Sequence, residues 1–218
     1  GVINIAKKYK LKVIEDAAEA LGSFFKKKHL GTFGDIGCFS FNGNKIITTG
    51  GGGMVVLNNN TLAKKIKHLT TTAKLKHKWE YVHDEVGHNL RMPNINAALG
   101  LAQLEKINIL LAAKRKLYSK YYEKLKDFQG VSLLRETKNS KSNYWLQTII
   151  LNIKVSYLKN QLLKKMHKEK IFSRPVWKLI SELKPYKNCS KMNLSGSKEI
   201  YKRAINIPSS PDLVLRQK

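Results

Sequence analysis

Residues 34–50 read GDIGCFSFNGNKIITTG and contain the clearest structural pattern in the chain. Residues 35–41 form a short, mostly apolar run, which is typical of a buried strand. The run ends in the turn-forming residues 42–44, and Lys45 follows them directly. The pattern therefore predicts a lysine just after a buried strand and just before the four glycines of residues 50–53.

A helix and a second strand are predicted ahead of this pattern. Residues 2–10 carry apolar side chains at helical spacing, and residues 11–14 form a short strand that ends in Glu15 and Asp16. A helix followed by such a strand is typical of an α/β protein with a parallel sheet. Because ligands of such sheets bind at the carboxyl ends of the strands, we expect Asp16 to lie at a functional site.

The longest predicted helix covers residues 94–126 and begins directly after Pro93. Proline is well tolerated at a helix start, where its missing N–H would have no intrahelical partner. The first part of the helix is apolar on one side, at Ile95, Leu99 and Ala102, and the later part is strongly basic. We expect this helix to bridge two domains.

The helix divides the chain into three predicted regions. Residues 1–92 are expected to form part of a larger α/β domain, residues 93–126 the bridging helix, and residues 127–218 a small α+β domain of ordinary size. The further elements expected are strands at 54–57 and 144–152 and helices at 61–69 and 157–168.

Composition limits the possible partners. Of the 218 residues 42% are hydrophobic, which is enough for a core, and 41 basic against 15 acidic residues give a formal charge of +26. Only six of the basic residues are arginine, the residue that best reads bases and clamps phosphates, so we expect no specific nucleic-acid partner. Apolar runs stay far below the about 20 residues that span a bilayer, so no membrane is expected as a partner.

The two cysteines, Cys38 and Cys189, are too few for a disulfide framework or a four-cysteine zinc site. Two free thiols indicate a reducing compartment, and we expect a cytoplasmic protein. His83 and His88 are five residues apart, a spacing that does not place both on one face of a helix. We therefore expect no metal site.

Lys45, Ser40 and Asp16 form the group of residues with the clearest chemical potential. A lysine amine is a nucleophile toward carbonyls when it is neutral, and a hydroxyl beside glycine-rich backbone can hold a phosphate. A carboxylate can pair with a protonated ring nitrogen, and together these are the groups that pyridoxal phosphate requires. Spacing alone leaves open a surface lysine, a turn serine and an aspartate that caps a helix.

Several ordered blocks of the sequence resemble the DegT/StrS family of nucleotide-sugar aminotransferases. The blocks are VIEDAAEALG (13–22), GDIG (34–37), FSF (39–41), NKIITTG (44–50), GHNLRM (87–92), AALG (97–100), QLE (103–105), NYWL (143–146) and SRP (173–175). The resemblance spans nearly the whole chain in the family's order. It implies the aspartate aminotransferase-like α/β fold (fold type I), here as a large-domain remainder with a small C-terminal α+β domain.

The resemblance assigns roles to residues of the first domain. It implies that Lys45 attaches pyridoxal 5'-phosphate through a Schiff base and then acts as general base. Asp16 is implied to keep the ring nitrogen protonated, Ser40 to bind the phosphate, and Glu19 to lie near the ring hydroxyl. Together with Asn89 and Arg91, these four residues are the expected cofactor-binding set, with Lys45 and Asp16 as the catalytic pair.

The resemblance also implies partners and substrates. Asn89 and Arg91 are expected to reach across a homodimer interface toward the partner's active site, and Arg174 to contact substrate. The implied reaction transfers an amino group from glutamate to a 4-keto deoxysugar on a nucleotide, for surface polysaccharide or glycan synthesis. The blocks at 43–49 and 91–100 are most similar to the branch that serves bacillosamine or legionaminic-acid synthesis.

Two alternatives remain open beside this interpretation. The sequence corresponds only to the later part of such an enzyme, and the family's phosphate-gripping Gly-Thr segment and ring-stacking aromatic residue are not found in it. We therefore also expect that the chain belongs to something longer, or that it is a non-catalytic remnant. A basic nucleic-acid-binding module is the second alternative.

Overall fold

The structure of the protein is a computed structural model that describes residues 1–216. The chain divides into two compact units. The first unit contains Gly1–Ile109 and the returning segment Lys138–Asn143. The second unit contains Leu110–Thr137 and, among the described residues, 144–216. None of the helices formed by the described residues has the length and apolar character that crossing a bilayer requires.

The first unit combines small sheets with three helices and the first residues of a fourth. Its elements are α1 (Val2–Lys8), β1 (Ile14–Asp16), β2 (Phe24–Phe25), β3 (Lys28–His29), β4 (Ile36–Ser40), β5 (Gly53–Val56), α2 (Asn60–Thr70), α3 (Asn94–Glu105) and β7 (Ser140–Lys141). The predicted helices and strands over residues 2–69 are confirmed, with shifts of a few residues at their ends. The hairpin of β2 and β3, which pairs with β7, has no counterpart in the prediction.

The sheet of β1, β4 and β5 carries the predicted site residues. β1 lies parallel to β4, with Ile14 opposite Ile36 and Asp16 opposite Cys38. β5 lies antiparallel to β4, with Ser40 opposite Gly53. The parallel strand pair expected of an α/β protein is therefore present, and Asp16 lies at the carboxyl end of its strand.

The second unit is an antiparallel sheet covered by helices. Its elements are α4 (Ile107–Leu125, which begins in the first unit), β6 (Val131–Leu133), β8 (Gln147–Leu151), α5 (Lys159–Lys168), β9 (Arg174–Pro175), α6 (Ser195–Arg203), β10 (Ala204–Ile207) and α7 (Asp212–Leu215). The strand order is β6-β8-β10-β9, and the core consists of Leu133, Ile149, Leu151, Ile205 and Ile207. Every second residue of β8 and β10 supplies this core, as expected for strands with one buried face.

The helix predicted over residues 94–126 is two helices, α3 and α4, which meet at Lys106. The Lys106 backbone N–H donates to the carbonyl of Gln103 at 3.1 Å, a tight turn at the end of α3. Such i-to-i+3 turns are common at helix termini and need no glycine or proline. Because neither residue type occurs here, the sequence contains no signal for the break.

Lys114 of α4 is buried in the second unit, with 6% of its surface exposed. Its Nζ donates to the carbonyl oxygens of Trp145 at 2.8 Å and Ser209 at 2.7 Å. Burial lowers the pKa of Lys114 from 10.5 to about 8, because removal from water disfavours the charged amine. The side chain thus ties α4 to two loops of the same unit.

We expect the stability of the second unit to rise between about pH 8 and pH 10. In this window the unfolded Lys114 holds its proton while the folded one releases it, so unfolding takes up a proton and higher pH favours the fold. The full gain is about 3 kcal/mol, at about 1.36 kcal/mol per pKa unit. Urea unfolding at a series of pH values measures it. Lys114→Met should lack the rise, and an equal rise in that variant would contradict the assignment to Lys114.

Candidate functional site

The carboxyl edge of the β1–β4 pair brings two predicted site residues to one face of the sheet. Asp16 lies opposite Cys38, and Ser40 is two residues further along β4. Since paired residues on neighbouring strands share a face and side chains repeat every second residue, Asp16, Cys38 and Ser40 lie on the same face. A carboxylate and a hydroxyl are therefore available at this edge.

Asp16 and Ser40 are each oriented by a local hydrogen bond. Asp16 Oδ1 accepts from the backbone N–H of Ala18 at 3.1 Å, and Ser40 Oγ accepts from the N–H of Asn42 at 3.3 Å. Residues 17–22 form turns and no helix, so Asp16 orders a turn and does not cap a helix as one alternative proposed. Asp16 remains exposed, with its carboxylate accessible to a ligand.

Lys45 lies at the end of a turn, where its backbone N–H donates to the Asn42 carbonyl at 3.0 Å. Its side chain is largely enclosed, with 13% exposed, and Nζ lies 3.5 Å from Glu19 Oε1. The Glu19 side chain is 54% exposed. An enclosed primary amine beside an accessible carboxylate can react with a carbonyl and exchange its proton with a neighbouring group.

Asn143 holds the segment that carries Glu19. Its Nδ2 donates to the Glu19 carbonyl at 2.7 Å and to the Leu21 carbonyl at 3.0 Å, and its backbone N–H donates to Ser23 Oγ at 3.0 Å. Asn143 is 4% exposed. No role for this side chain was predicted, although it opens the NYWL block, because its partners lie more than a hundred residues earlier in the chain.

Replacing Asn143 by Leu should destabilise the first unit by about 1–3 kcal/mol, the effect of leaving buried polar groups without a partner. The Glu19 and Leu21 carbonyls both lose their donor in this variant. Urea unfolding measures the loss. The matched control is Asn58→Leu at an exposed position, which should change stability little. Equal stability of the two variants would show that Asn143 does not hold this segment.

Glu15, the residue before Asp16, fixes the neighbouring loop. Its carboxylate accepts backbone N–H bonds from Gly31 at 2.9 Å, Phe33 at 2.5 Å and Gly34 at 2.6 Å. Hydrogen bonds from backbone amides to a carboxylate are among the stronger ones in proteins. Glu15 therefore fastens the end of β1 from the face opposite to Asp16, a function that sequence reasoning did not anticipate.

The remaining predicted residues lie in two other places. Asn89 and Arg91 are exposed residues of the segment after α2, where Arg91 Nε donates to Asn89 Oδ1 at 3.3 Å. Asn89 also forms an isolated β-bridge with Thr71, which anchors that segment to the end of α2. Arg174 is an exposed residue of β9 in the second unit, opposite Asn206 of β10.

One further group of ligating side chains lies near the segment 83–88. The ligating atoms of His68, Asp84 and Glu85 lie within 4.8 Å of one another. The hydrogen bond from His68 lowers the pKa of Asp84, and Lys65 forms an ion pair with Glu85. Asp84 and Glu85 therefore each have a side-chain partner within the protein.

The fold is that of an α/β aminotransferase, as the comparison with solved structures shows. The structure of PseC from Helicobacter pylori, described as an aminotransferase of pseudaminic-acid biosynthesis, superposes with a TM-score of 0.91 at 30% identity. The alignment covers 99% of this chain and 58% of PseC. The predicted fold class is confirmed.

The chain belongs to the DegT/DnrJ/EryC1/StrS aminotransferase family, whose sequence pattern matches residues 2–217. A GDP-perosamine synthase of Escherichia coli O157:H7 is 38% identical over 214 residues, covering 97% of this chain and 57% of the relative. A UDP-4-amino-4,6-dideoxy-N-acetyl-beta-L-altrosamine transaminase of Campylobacter jejuni is 31% identical over 217 residues, covering 99% and 58%. The chain thus spans a little over half the length of these relatives, and the family predicted from the sequence blocks is confirmed.

Proposed function

We propose that this protein is a pyridoxal-phosphate-dependent aminotransferase that transfers an amino group from glutamate to a 4-keto deoxysugar carried on a nucleotide. The observation that carries the proposal is the enclosed Lys45 amine beside Glu19, on the unit whose sheet presents Asp16 and Ser40 on one face. The product would serve surface polysaccharide or glycan synthesis, in keeping with the sugar transaminases that the chain resembles.

The residues present fit the cofactor by their chemistry. The cofactor has a carbonyl, a phosphate and a pyridine ring, which call for an amine, a hydrogen-bond donor and a carboxylate. Lys45 supplies the amine, Ser40 the hydroxyl and Asp16 the carboxylate. All three belong to the first unit, which also carries the glycine-rich segment at 50–53.

Each residue has a distinct task in the proposed reaction. Lys45 would hold the cofactor and, as general base, would then accept the proton released from the α-carbon of glutamate. Asp16 holds a proton on the ring nitrogen, and Glu19, near Lys45 Nζ, helps to orient that amine. When bound, the cofactor supplies an electron sink for the substrate's bonding electrons.

The proposal includes a homodimer with shared active sites. Asn89 and Arg91 would reach the partner's cofactor site, and their exposure in the described unit is consistent with a role outside it. α3 supports the dimer because its apolar side chains are exposed, including Ile95 at 85% and Leu101 at 60%. Arg174 is proposed to contact the substrate.

The nucleotide of the proposed substrate is GDP or UDP, because the relatives are named for GDP and UDP sugars.

We also propose a cytoplasmic location, since Cys38 and Cys189 are free thiols, as is usual in a reducing compartment. The competing hypothesis is a non-catalytic remnant of such an enzyme.

The test is amino transfer by the purified chain after addition of pyridoxal phosphate. With glutamate it should form 2-oxoglutarate, and with GDP- and UDP-linked 4-keto-6-deoxysugars it should form an aminosugar that mass spectrometry detects. Asp127→Asn, at an exposed position distant in sequence from the site, is a control that should behave like the unaltered chain. A chain that binds the cofactor and forms neither product would support the non-catalytic remnant.

A further inference from the structure

The face of α3 that contacts its own unit is polar. Asn96, Gly100 and Gln103 are half-buried and follow one another at helical spacing, so they form one stripe along the helix. The apolar side of the helix faces away from this stripe, with Ile95 and Leu99 exposed at 85% and 44%. The side-chain amides on this inward face can form hydrogen bonds with the backbone of the segment that the helix contacts.

The partner of this stripe is the segment 46–49, which directly follows Lys45. Ile46, Ile47 and Thr49 are buried, at 8%, 2% and 1% exposure, although the segment belongs to no helix or strand. Buried backbone groups outside regular structure need hydrogen-bond partners from elsewhere. The N–H of Thr49 finds one in the carbonyl of Phe41, at 3.0 Å.

Gln103 supplies the partners of Thr48. Its Oε1 accepts the Thr48 N–H at 3.0 Å, and its Nε2 donates to the Thr48 carbonyl at 3.1 Å. One side-chain amide thus forms hydrogen bonds with both the N–H and the carbonyl of Thr48, as the backbone of a neighbouring strand does in a sheet. The pair of bonds also fixes the orientation of the Gln103 amide, since only one assignment of its oxygen and nitrogen satisfies both.

Asn96 and Gly100 complete the contact. Asn96 Nδ2 donates to the Thr49 carbonyl at 2.5 Å. A Cβ at Gly100 would lie 2.7 Å from Thr49 Cγ2, so only glycine allows the helix to approach this closely. The three residues therefore hold Thr48 and Thr49 against α3 through side-chain amides and close packing.

We propose that Gln103 is a positioning residue for Lys45, which it fixes through the backbone of Thr48. The inference rests on the proposed role of Lys45. Only Ile46 and Ile47 separate Lys45 from Thr48, and each peptide bond between them is rigid. Movement of Thr48 would therefore displace the amine from its place beside Glu19. A reactive group that is held by its supporting contacts reacts faster than one that must be ordered first.

The test compares two Gln103 variants and one control variant by two readouts on the 218-residue chain. Gln103→Met keeps the length and removes both hydrogen bonds, Gln103→Glu keeps only the acceptor, and Gln161→Met is the exposed control. The first readout is hydrogen exchange of the Thr48 amide. The second is the rate at which pyridoxal phosphate is trapped on Lys45 by borohydride, with the exposed Lys12 as internal reference.

In the Met variant we expect the Thr48 amide to exchange about tenfold faster and Lys45 to be trapped about tenfold more slowly, the effect of about one hydrogen bond. In Gln103→Glu we expect intermediate rates of Thr48 exchange and Lys45 trapping. If the Met variant does not fold, the Glu variant is compared with the unaltered chain instead. Labelling of Lys12 should stay constant, and Gln161→Met should match the unaltered chain.

Two results would overturn the proposal. Unchanged trapping of Lys45 in a variant whose Thr48 amide exchanges faster would make Gln103 a purely structural residue. Unchanged trapping and exchange would show that no clamp exists. Absence of trapping on Lys45 in the unaltered chain would instead refute the proposed function, and the positioning role with it, so the two failures are distinguishable.

Discussion

Replacing Lys45 by Ala should abolish covalent binding of pyridoxal phosphate at the proposed site and lower amino transfer by at least about 10³-fold, a loss in the range seen when an enzyme loses its nucleophile. The reason is chemical, because alanine has no amine to react with the cofactor carbonyl or to move the proton. The measurement is the visible absorbance of the cofactor-treated chain, followed by the rate of 2-oxoglutarate formation from glutamate.

The control for this prediction is Lys12→Ala. Lys12 forms an ion pair with Asp35 at 2.9 Å, but its side chain is 84% exposed, so it is not enclosed as Lys45 is. An exposed ion pair contributes little to stability, and this variant should retain both absorbance and rate. Full absorbance in Lys45→Ala, or equal losses in the two variants, would remove Lys45 from the proposed site.

Replacing Asp16 by Asn should lower amino transfer by about 10²–10³-fold, the range found when one preorganised electrostatic group is removed. Asparagine has nearly the same shape and can still accept the Ala18 N–H that orients Asp16. It has no charge to keep a proton on the ring nitrogen, so the cofactor becomes a weaker electron sink. Single-turnover rates with glutamate measure the effect.

The Asp16→Asn variant should lose amino-transfer rate while the cofactor stays attached to Lys45. Lys45 should bind pyridoxal phosphate in Asp16→Asn as it does in the unaltered chain, and Asp127→Asn should match the unaltered chain in every respect. If Asp16→Asn reacted at full rate, the carboxylate would not contact the ring nitrogen. The only role left to Asp16 would then be to order the turn through its hydrogen bond with the Ala18 N–H.

The local pattern of the chain was sufficient to predict the sheet that carries the site. The apolar run of residues 35–41 and the acid-ended strand before it appear as the parallel pair of β4 and β1. These elements were predictable because strand periodicity and turn residues act over a few neighbouring positions. The family was likewise recognisable from its ordered blocks, and residues 2–217 match it.

The contacts that support the site were not predictable from the same patterns. Asn143 bonds to residues about 120 positions earlier, and Gln103 to a residue 55 positions earlier. A polar side chain has no periodicity that identifies a distant partner. On α3, Ile95 and Leu99 are exposed while the amide of Gln103 faces inward, so hydrophobic spacing does not identify the face that contacts this unit.

The most direct test of the central claim is the location of the cofactor on the chain. Purified protein is incubated with pyridoxal phosphate, reduced with borohydride and digested, and the modified lysine is identified by mass spectrometry. The proposal predicts one dominant label on Lys45, the enclosed amine beside Glu19, ahead of the exposed lysines. Label scattered over exposed lysines such as Lys12, with none on Lys45, would contradict it and leave a chain with the family's fold but not its chemistry.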